Sequence, residues 1–230
     1  MTEGEVSKSQ IDRLGDRLRG GGSSDDLHLL NNYRRSFIEP YNEVVKKIQN
    51  ELKLEPTGRI PKTVTSILGK LRRQHVRLSQ MQDIAGCRLV VQSLSRQELV
   101  VAQLKNLFAK VTIDDRTLNP SHGYRAIHVI AEESGKLIEI QVRTELQNNW
   151  AQFSEKVSDV LDPDIKYGGG DSEVVSLLSS LSEITMGFEI AFETHDYDEM
   201  VKNSQRLLDS FELLNKVILR AKEIEGDISN

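Results

Sequence analysis

Between Gly58 and Gln82 the chain carries six basic residues, Arg59, Lys62, Lys70, Arg72, Arg73 and Arg77, and no Asp or Glu. Such a stretch concentrates positive field and draws in a polyanion such as a triphosphate. Two carboxylates complement it: Asp83, just before a short apolar run, and Glu139, on the polar side of an alternating one. Carboxylate oxygens are the hard ligands that Mg²⁺ takes, and one or two suffice because the ion keeps several waters. Cations for the phosphates, a divalent ion and carboxylates to hold it are the ingredients of phosphoryl or pyrophosphoryl transfer. Gly20-Gly21-Gly22 precedes no strand-to-helix turn with Lys and Ser or Thr, so a glycine-rich phosphate loop is absent. Side chains must bind the phosphates instead.

The elements that hold these residues follow from periodicity. Val64, Ile67, Leu68 and Leu71 recur at helical spacing while Ser66, Lys70 and Arg73 fall on a different face. A helix there buries one side and presents cations on another. Ile84 to Val91 reads as a buried strand with Asp83 at its mouth. Ser95 caps a helix to about Phe108, and Lys110 to Asp114 is a short strand. A polar loop broken by Pro120 and Gly123 follows. Then come two strands, about Tyr124 to Glu132 and Lys136 to Arg143, joined by Ser134-Gly135. In the second, alternation puts Glu139, Gln141 and Arg143 on the face opposite Ile138, Ile140 and Val142.

Outside this middle section the pattern is helical. Residues 1–24 read as a flexible tail, because Gly20 to Ser24 lack periodicity and apolar surface. Asp25 to about Leu54 is helical, broken or kinked at Pro40 and ended by Pro56 and Gly58. Glu145 to about Leu161 forms another helix. After Pro163 and Gly168-Gly169-Gly170 two longer ones run from about Ser172 to Phe192 and from Tyr197 to Ile224. The fold class is α+β: a small mixed β-sheet flanked by helices, with C-terminal helices. The expected organisation is a tail 1–24, a domain 25–167 and a helical extension 168–230.

The 230 residues suffice for one sizeable core, with 38% hydrophobic and 28% charged residues. The formal net charge of −5 is uneven, since residues 150–230 alone hold 17 acidic and 7 basic side chains. No membrane span and no secretory h-region are expected, and the single Cys87 allows no intrachain disulfide, in keeping with a cytoplasmic protein. Cys87 lies inside the apolar strand and reads as core, as do Trp150, Ala151 and Phe153.

Five blocks occur in order: Gly58-Arg59-Ile60-Pro61-Lys62; Ser66-Ile67 with Lys70; Asp83-Ile84-Ala85-Gly86-Cys87-Arg88; His122-Gly123-Tyr124-Arg125-Ala126-Ile127-His128; and Glu139-Ile140-Gln141-Val142-Arg143-Thr144. Over about Tyr33 to Tyr167 they resemble the synthetase domain of the RelA/SpoT family. The resemblance implies a nucleotidyltransferase-like fold. It also implies a Mg²⁺-dependent pyrophosphokinase that moves the β,γ-pyrophosphate of ATP onto the ribose 3′-hydroxyl of GDP or GTP, with AMP released. It assigns Arg59 and Arg88 to the adenine of ATP, a role that guanidinium stacking suits. Lys62, Ser66, Lys70 and Arg73 are assigned to the ATP phosphates, and Asp83 and Glu139 to Mg²⁺. Glu139 is also the candidate for accepting or relaying the hydroxyl proton. Tyr124 is assigned to stacking on the acceptor base, and His128, Gln141 and Asn148 to positioning the acceptor.

One departure bears on the acceptor. Family members that make guanosine alarmones usually carry a longer loop with a lysine before the Gly-Tyr pair, whereas this chain reads Leu118-Asn119-Pro120-Ser121-His122, with only Arg116 and His122 to meet acceptor phosphates. The family also includes toxic members that pyrophosphorylate the tRNA 3′ end, so tRNA is a second acceptor to weigh, with Arg34, Arg35, Lys46 and Lys47 either a backbone track or plain surface charge. The C-terminal helices are left to packing, self-association as a homo-oligomer or binding of a partner such as an antitoxin, and relatives of this size are often oligomeric. A binding module without turnover would be expected to lack the carboxylates or the cations, and this chain has both. His195-Asp196 stands alone and reads as a helix-boundary pair rather than part of a hydrolase site.

Overall fold

The computed structural model describes residues 7–59 and 61–228, without the side chains of Arg59 and of most residues beyond 210. The chain divides into two compact units. The first takes residues up to Leu89, Ala102–Asp114 and His128–Gln141; the second takes Val90–Val101, Asp115–Ile127 and everything from Val142 onward.

Among the described residues the first unit opens with α1 (Lys8–Arg19), which corrects the expected tail over that span; residues 1–6 of that tail lie outside the described ones. Ser7 and Gln10 form a reciprocal capping box at its start, and Ile11, Leu14 and Leu18 are buried along one side. Three buried apolar side chains at helical spacing and a satisfied N-terminus are enough to order a segment that composition alone makes look loose. α2 (Ser24–Arg35) and α3 (Ile38–Lys47) follow, and a π-helical turn continues α3 through Ile48–Leu52. The break between them lies at Ser36 and Phe37 rather than Pro40, which sits in the first turn of α3, where a missing N–H costs nothing. α4 (Val64–Arg73) is capped by Thr63 and buries Ile67 and Leu71, each stabilising by about 1.5–3 kcal/mol.

The five strands are β1 (Thr57–Arg59), β2 (Ala85–Val91), β3 (Val111–Asp115), β4 (Ile127–Glu133) and β5 (Lys136–Thr144), in the order β1-β2-β5-β4-β3. β1 runs antiparallel to β2 with Gly58 opposite Cys87. β4 and β5 are joined by Ser134 and Gly135, both at positive φ (48° and 74°), the conformation of a tight hairpin turn. The expected mixed sheet flanked by helices is therefore present. α5 (Leu94–Leu107) starts two residues earlier than a Ser95 cap would place it, because the Ser93 hydroxyl, not that of Ser95, accepts the N–H of Arg96.

The second unit is built on α6 (Glu145–Val160), α7 (Ser172–Thr194) and α8 (Tyr197–Ile228). Trp150, Val157, Leu177, Leu178 and Leu181 form its core. The helices expected to form an extension thus pack with α6 in one unit. By length and composition α7 could cross a bilayer, contrary to the expectation of no such segment. Here its apolar side is spent on packing against α6 and α8, and it buries Ser182 and Glu189 as well. His195, in the left-handed region at φ 58°, and Asp196, whose Oδ1 accepts the N–H of Glu199 at 3.0 Å, form the α7–α8 turn. That is the helix-boundary role expected of the pair.

Candidate active site

α4 and the entrance of β2 bring three charged residues together. Lys62 Nζ donates to Asp83 Oδ2 at 2.6 Å and Lys70 Nζ to Asp83 Oδ1 at 2.7 Å. The segment before α4 is fixed by its backbone: the N–H of Lys62 donates to the carbonyl of Ile84 at 2.7 Å. Arg34 supports it from α2, donating from Nε to the carbonyl of Lys62 at 2.7 Å and from Nη2 to that of Pro61 at 3.4 Å. Arg34 is therefore an internal clamp. Lys47 likewise pairs with Glu133, so these two of the four cations weighed as an RNA track serve packing within the unit. Burial pushes the Asp83 carboxyl up, but the charges and hydrogen bonds of Lys62 and Lys70 outweigh it and hold the group below the usual carboxylate range.

β4 and β5 supply a second cluster in the same unit. Glu139 takes Nδ1 of His128 at 2.9 Å on Oε1 and Nε2 of Gln141 at 2.8 Å on Oε2. Gln141 reaches it because residues two apart on a strand share a face, and His128 comes from the neighbouring strand of the hairpin. Burial pushes the Glu139 carboxyl up; the hydrogen bond and charge of His128, with the hydrogen bond from Gln141, more than reverse this. The Asp83 charge also acts on Glu139 and pushes it up, so the two carboxylates belong to one electrostatic site.

The donor chemistry of these two residues suits Mg²⁺. Two mutually repelling carboxylates, both held ionised, provide hard oxygen donors for an ion whose other ligands are water and substrate phosphate. Among the described residues no group of three or more His, Cys, Asp or Glu side chains is arranged to hold a metal.

The remaining assigned residues fall as follows. Ser66 lies in the first turn of α4, where its N–H donates to the Thr63 hydroxyl at 3.2 Å and its Oγ accepts from that hydroxyl at 2.8 Å. Arg73 lies in the last turn, its guanidinium 3.0 Å from where a Cβ on Gly69 would stand. The backbone of Arg59 pairs with Gly86, and Arg88 stands opposite Thr57 in the same ladder; the side chain of Arg59 is outside the described ones. Tyr124 and Asn148 belong to the second unit. Asn148 is buried on α6 and its Oδ1 has no hydrogen-bond partner, an acceptor that costs free energy until a donor meets it. His122 is exposed, with φ 51°.

Sequence reasoning assigned no role to Arg143, which lies with Tyr124 in the second unit. Its Cζ lies 4.9 Å from the centroid of the Tyr124 ring, and Nη2 donates to the Tyr124 hydroxyl at 2.8 Å. The signal was its alternation with Glu139 and Gln141 on β5. Cys87 is buried and its thiol is pushed up to about 12 by burial and the Glu139 charge, so it stays protonated and unreactive.

Comparison with known proteins bears on this arrangement. A family model described as "Region found in RelA / SpoT proteins" matches residues 58–158. A GTP pyrophosphokinase of Bacillus subtilis is 31% identical over 170 residues, covering 61% of this chain and 77% of the relative. An uncharacterized protein of Mycobacterium tuberculosis is 36% identical over 110 residues, which is 46% of this chain and 40% of that one. The match thus spans less than half the length of the mycobacterial relative. In structure the chain is similar to small alarmone synthetase 1 of Bacillus subtilis bound to its product pppGpp, with a TM-score of 0.56 and 27% identity over 71% of this chain and 95% of that one.

Proposed function

Because this chain belongs to the RelA/SpoT family of small alarmone synthetases, we propose that it is a Mg²⁺-dependent pyrophosphokinase that moves the β,γ-pyrophosphate of ATP to the ribose 3′-hydroxyl of GDP or GTP. The observation that carries this reading is the engagement of Asp83 by both Lys62 and Lys70, within electrostatic reach of Glu139. The two ammonium groups neutralise the Asp83 carboxylate. The same two groups would bind the oxygens of a triphosphate, and Asp83 with Glu139 would hold the ion that accompanies it.

In the reaction the acceptor 3′-oxygen attacks the β-phosphorus in line, the bond to the α-phosphate oxygen breaks, and AMP leaves. Mg²⁺ supplies neutralisation of the charge on the triphosphate. Lys62 and Lys70 bind its oxygens, with Ser66 at the positive N-terminus of α4 and Arg73 on the same helix adding to the cradle. Arg59 and Arg88 hold the adenine by stacking. His128 and Gln141 fix the rotamer of Glu139, whose depressed pKa suits it to remaining ionised and orienting the hydroxyl more than to storing its proton. Tyr124 offers the acceptor base a ring, and Asn148 Oδ1 accepts a hydrogen bond from it.

The test is incubation with γ-labelled ATP and Mg²⁺ and, in parallel, GDP, GTP, AMP or deacylated tRNA, with Glu139→Gln as control. Label on a guanine nucleotide supports the alarmone synthetase. Label on tRNA would replace it with the translation-blocking reaction, the reading that the cation-poor loop before Gly123 favours. Transfer to no acceptor would leave a nucleotide-binding module without turnover.

A further inference from the structure

α7 has no part in the reaction derived above, yet its most buried polar groups are aimed at the acceptor segment. Ser182 and Glu189 are 2% and 6% exposed and, seven residues apart, lie on one face of the helix. Ser182 Oγ accepts from Arg125 Nε at 3.0 Å, and Glu189 Oε1 accepts from the hydroxyl of Thr144. Arg125 also donates from Nη1 to the carbonyl of Thr117, closing the loop between them. One turn before Ser182, the carbonyl of Leu178 accepts the indole N–H of Trp150 at 2.9 Å. Gly123, at φ +83°, fits against the same place: a Cβ there would stand 2.6 Å from Trp150 Cζ2 and 3.2 Å from the Leu178 carbonyl oxygen.

The residues gripped are telling. Arg125 and Thr144 are the chain neighbours of Tyr124 and Arg143, the two that stack on one another. A helix that served only packing would carry apolar side chains at these depths, since a buried hydroxyl or carboxyl costs free energy unless it has a partner. We infer that α7 is a positioning element of the acceptor site, in which Ser182 and Glu189 hold the two halves of the Tyr124–Arg143 stack in register for an acceptor base. The inference rests on the reading of Tyr124 as the acceptor platform.

Steady-state kinetics of the full chain test it, with ATP and the acceptor varied separately. Ser182→Ala and Glu189→Ala raise KM for the acceptor nucleotide about fivefold to tenfold, with KM for ATP changed less than about twofold. Glu189→Gln, which keeps an oxygen facing Thr144, restores the acceptor KM. Trp150 is the only tryptophan, so its emission during titration with GDP gives a second readout without turnover, and Ser182→Ala weakens that titration by the same factor. A variant carrying Tyr124→Ala separates the two levels of argument. Should Tyr124→Ala leave the acceptor KM unchanged, the platform reading fails and the inference falls with it. Should Tyr124→Ala raise it while the α7 variants do not, or should those variants raise both KM values together, α7 is scaffold alone.

Discussion

The guanidinium of Arg143 covers one face of the Tyr124 ring, at 4.9 Å from its centroid, and donates to its hydroxyl at 2.8 Å. The orientation of the Tyr124 ring is therefore set by a cation and a hydrogen bond together, and the ring also packs against the core of its unit. Arg143→Ala removes the cation–π contact and the hydrogen bond together. The acceptor KM is expected to rise about tenfold, from about 1–2 kcal/mol lost in pre-organisation, with the ATP KM unchanged. Arg143→Lys keeps the charge but loses the planar fork, and is expected to recover only part of the loss. Equal effects on both substrates would mean that Arg143 supports the fold and not the stack.

Asp83 is expected to matter twice. Asp83→Asn leaves Lys62 and Lys70 facing a neutral amide and should lower kcat at least about a hundredfold, as loss of a group that organises the phosphate site does. It should also change the acid limb of stability. The folded-state pKa of Asp83 is depressed, so its contribution is fully present above the unfolded value of about 3.9 and is lost as pH falls through the folded one. Urea unfolding at pH 7 should show the variant less stable by about 1–3 kcal/mol, and the gap should close as the acid range is entered. A gap independent of pH would show that packing, not charge, is lost.

The fold was largely readable because apolar period and turn chemistry agree over the middle of the chain, where Ser134-Gly135 between two alternating runs dictates a hairpin. α1 was missed because Gly20 to Ser24 dominate the local composition. What orders it lies elsewhere, in the burial of Ile11, Leu14 and Leu18 and the contact of Gly15 with Leu78, where a Cβ would stand 2.8 Å from that of Leu78. The charged residues of the site could be named from residue type and motif. Their supports could not: Arg34 reads as surface charge until its bonds to the carbonyls of Pro61 and Lys62 are seen. Ser182 and Glu189 read as ordinary polar positions of a helix. Nothing in one sequence records which distant backbone or side chain a buried polar group will meet.

Gly86 offers a steric test of the carboxylate site. A Cβ there would stand 2.7 Å from the carbonyl oxygen of Glu139 and 3.2 Å from its Cβ. The obstacle is backbone, which cannot swing aside as the end of a flexible side chain can. Gly86→Ala should force β2 and β5 apart beside Glu139, costing about 1–3 kcal/mol of stability and displacing Glu139 from His128 and Gln141. Because an ångström of misplacement is costly to in-line transfer, activity should fall about a hundredfold in protein that still unfolds cooperatively. Wild-type kinetics in that variant would show that the strands can shift without moving Glu139.

Glu189 gives the opposite pH signature to Asp83. Burial raises its pKa, and the hydrogen bonds from Thr144 and Gln147 with the charge of Arg125 only partly offset this. A carboxyl that holds its proton more tightly when folded than when unfolded costs stability at pH values above its folded pKa, and costs nothing below the unfolded value of about 4.3. Stability should therefore decline as pH rises through that window. Glu189→Gln removes the titration while keeping an oxygen for the Thr144 hydroxyl. Urea unfolding should find the variant more stable than wild type by about 1 kcal/mol at neutral pH and nearly equal to it near pH 4. If the variant is instead less stable at neutral pH, the attraction of Arg125 outweighs burial, Glu189 is ionised in place, and its hold on Thr144 is that of a charged group.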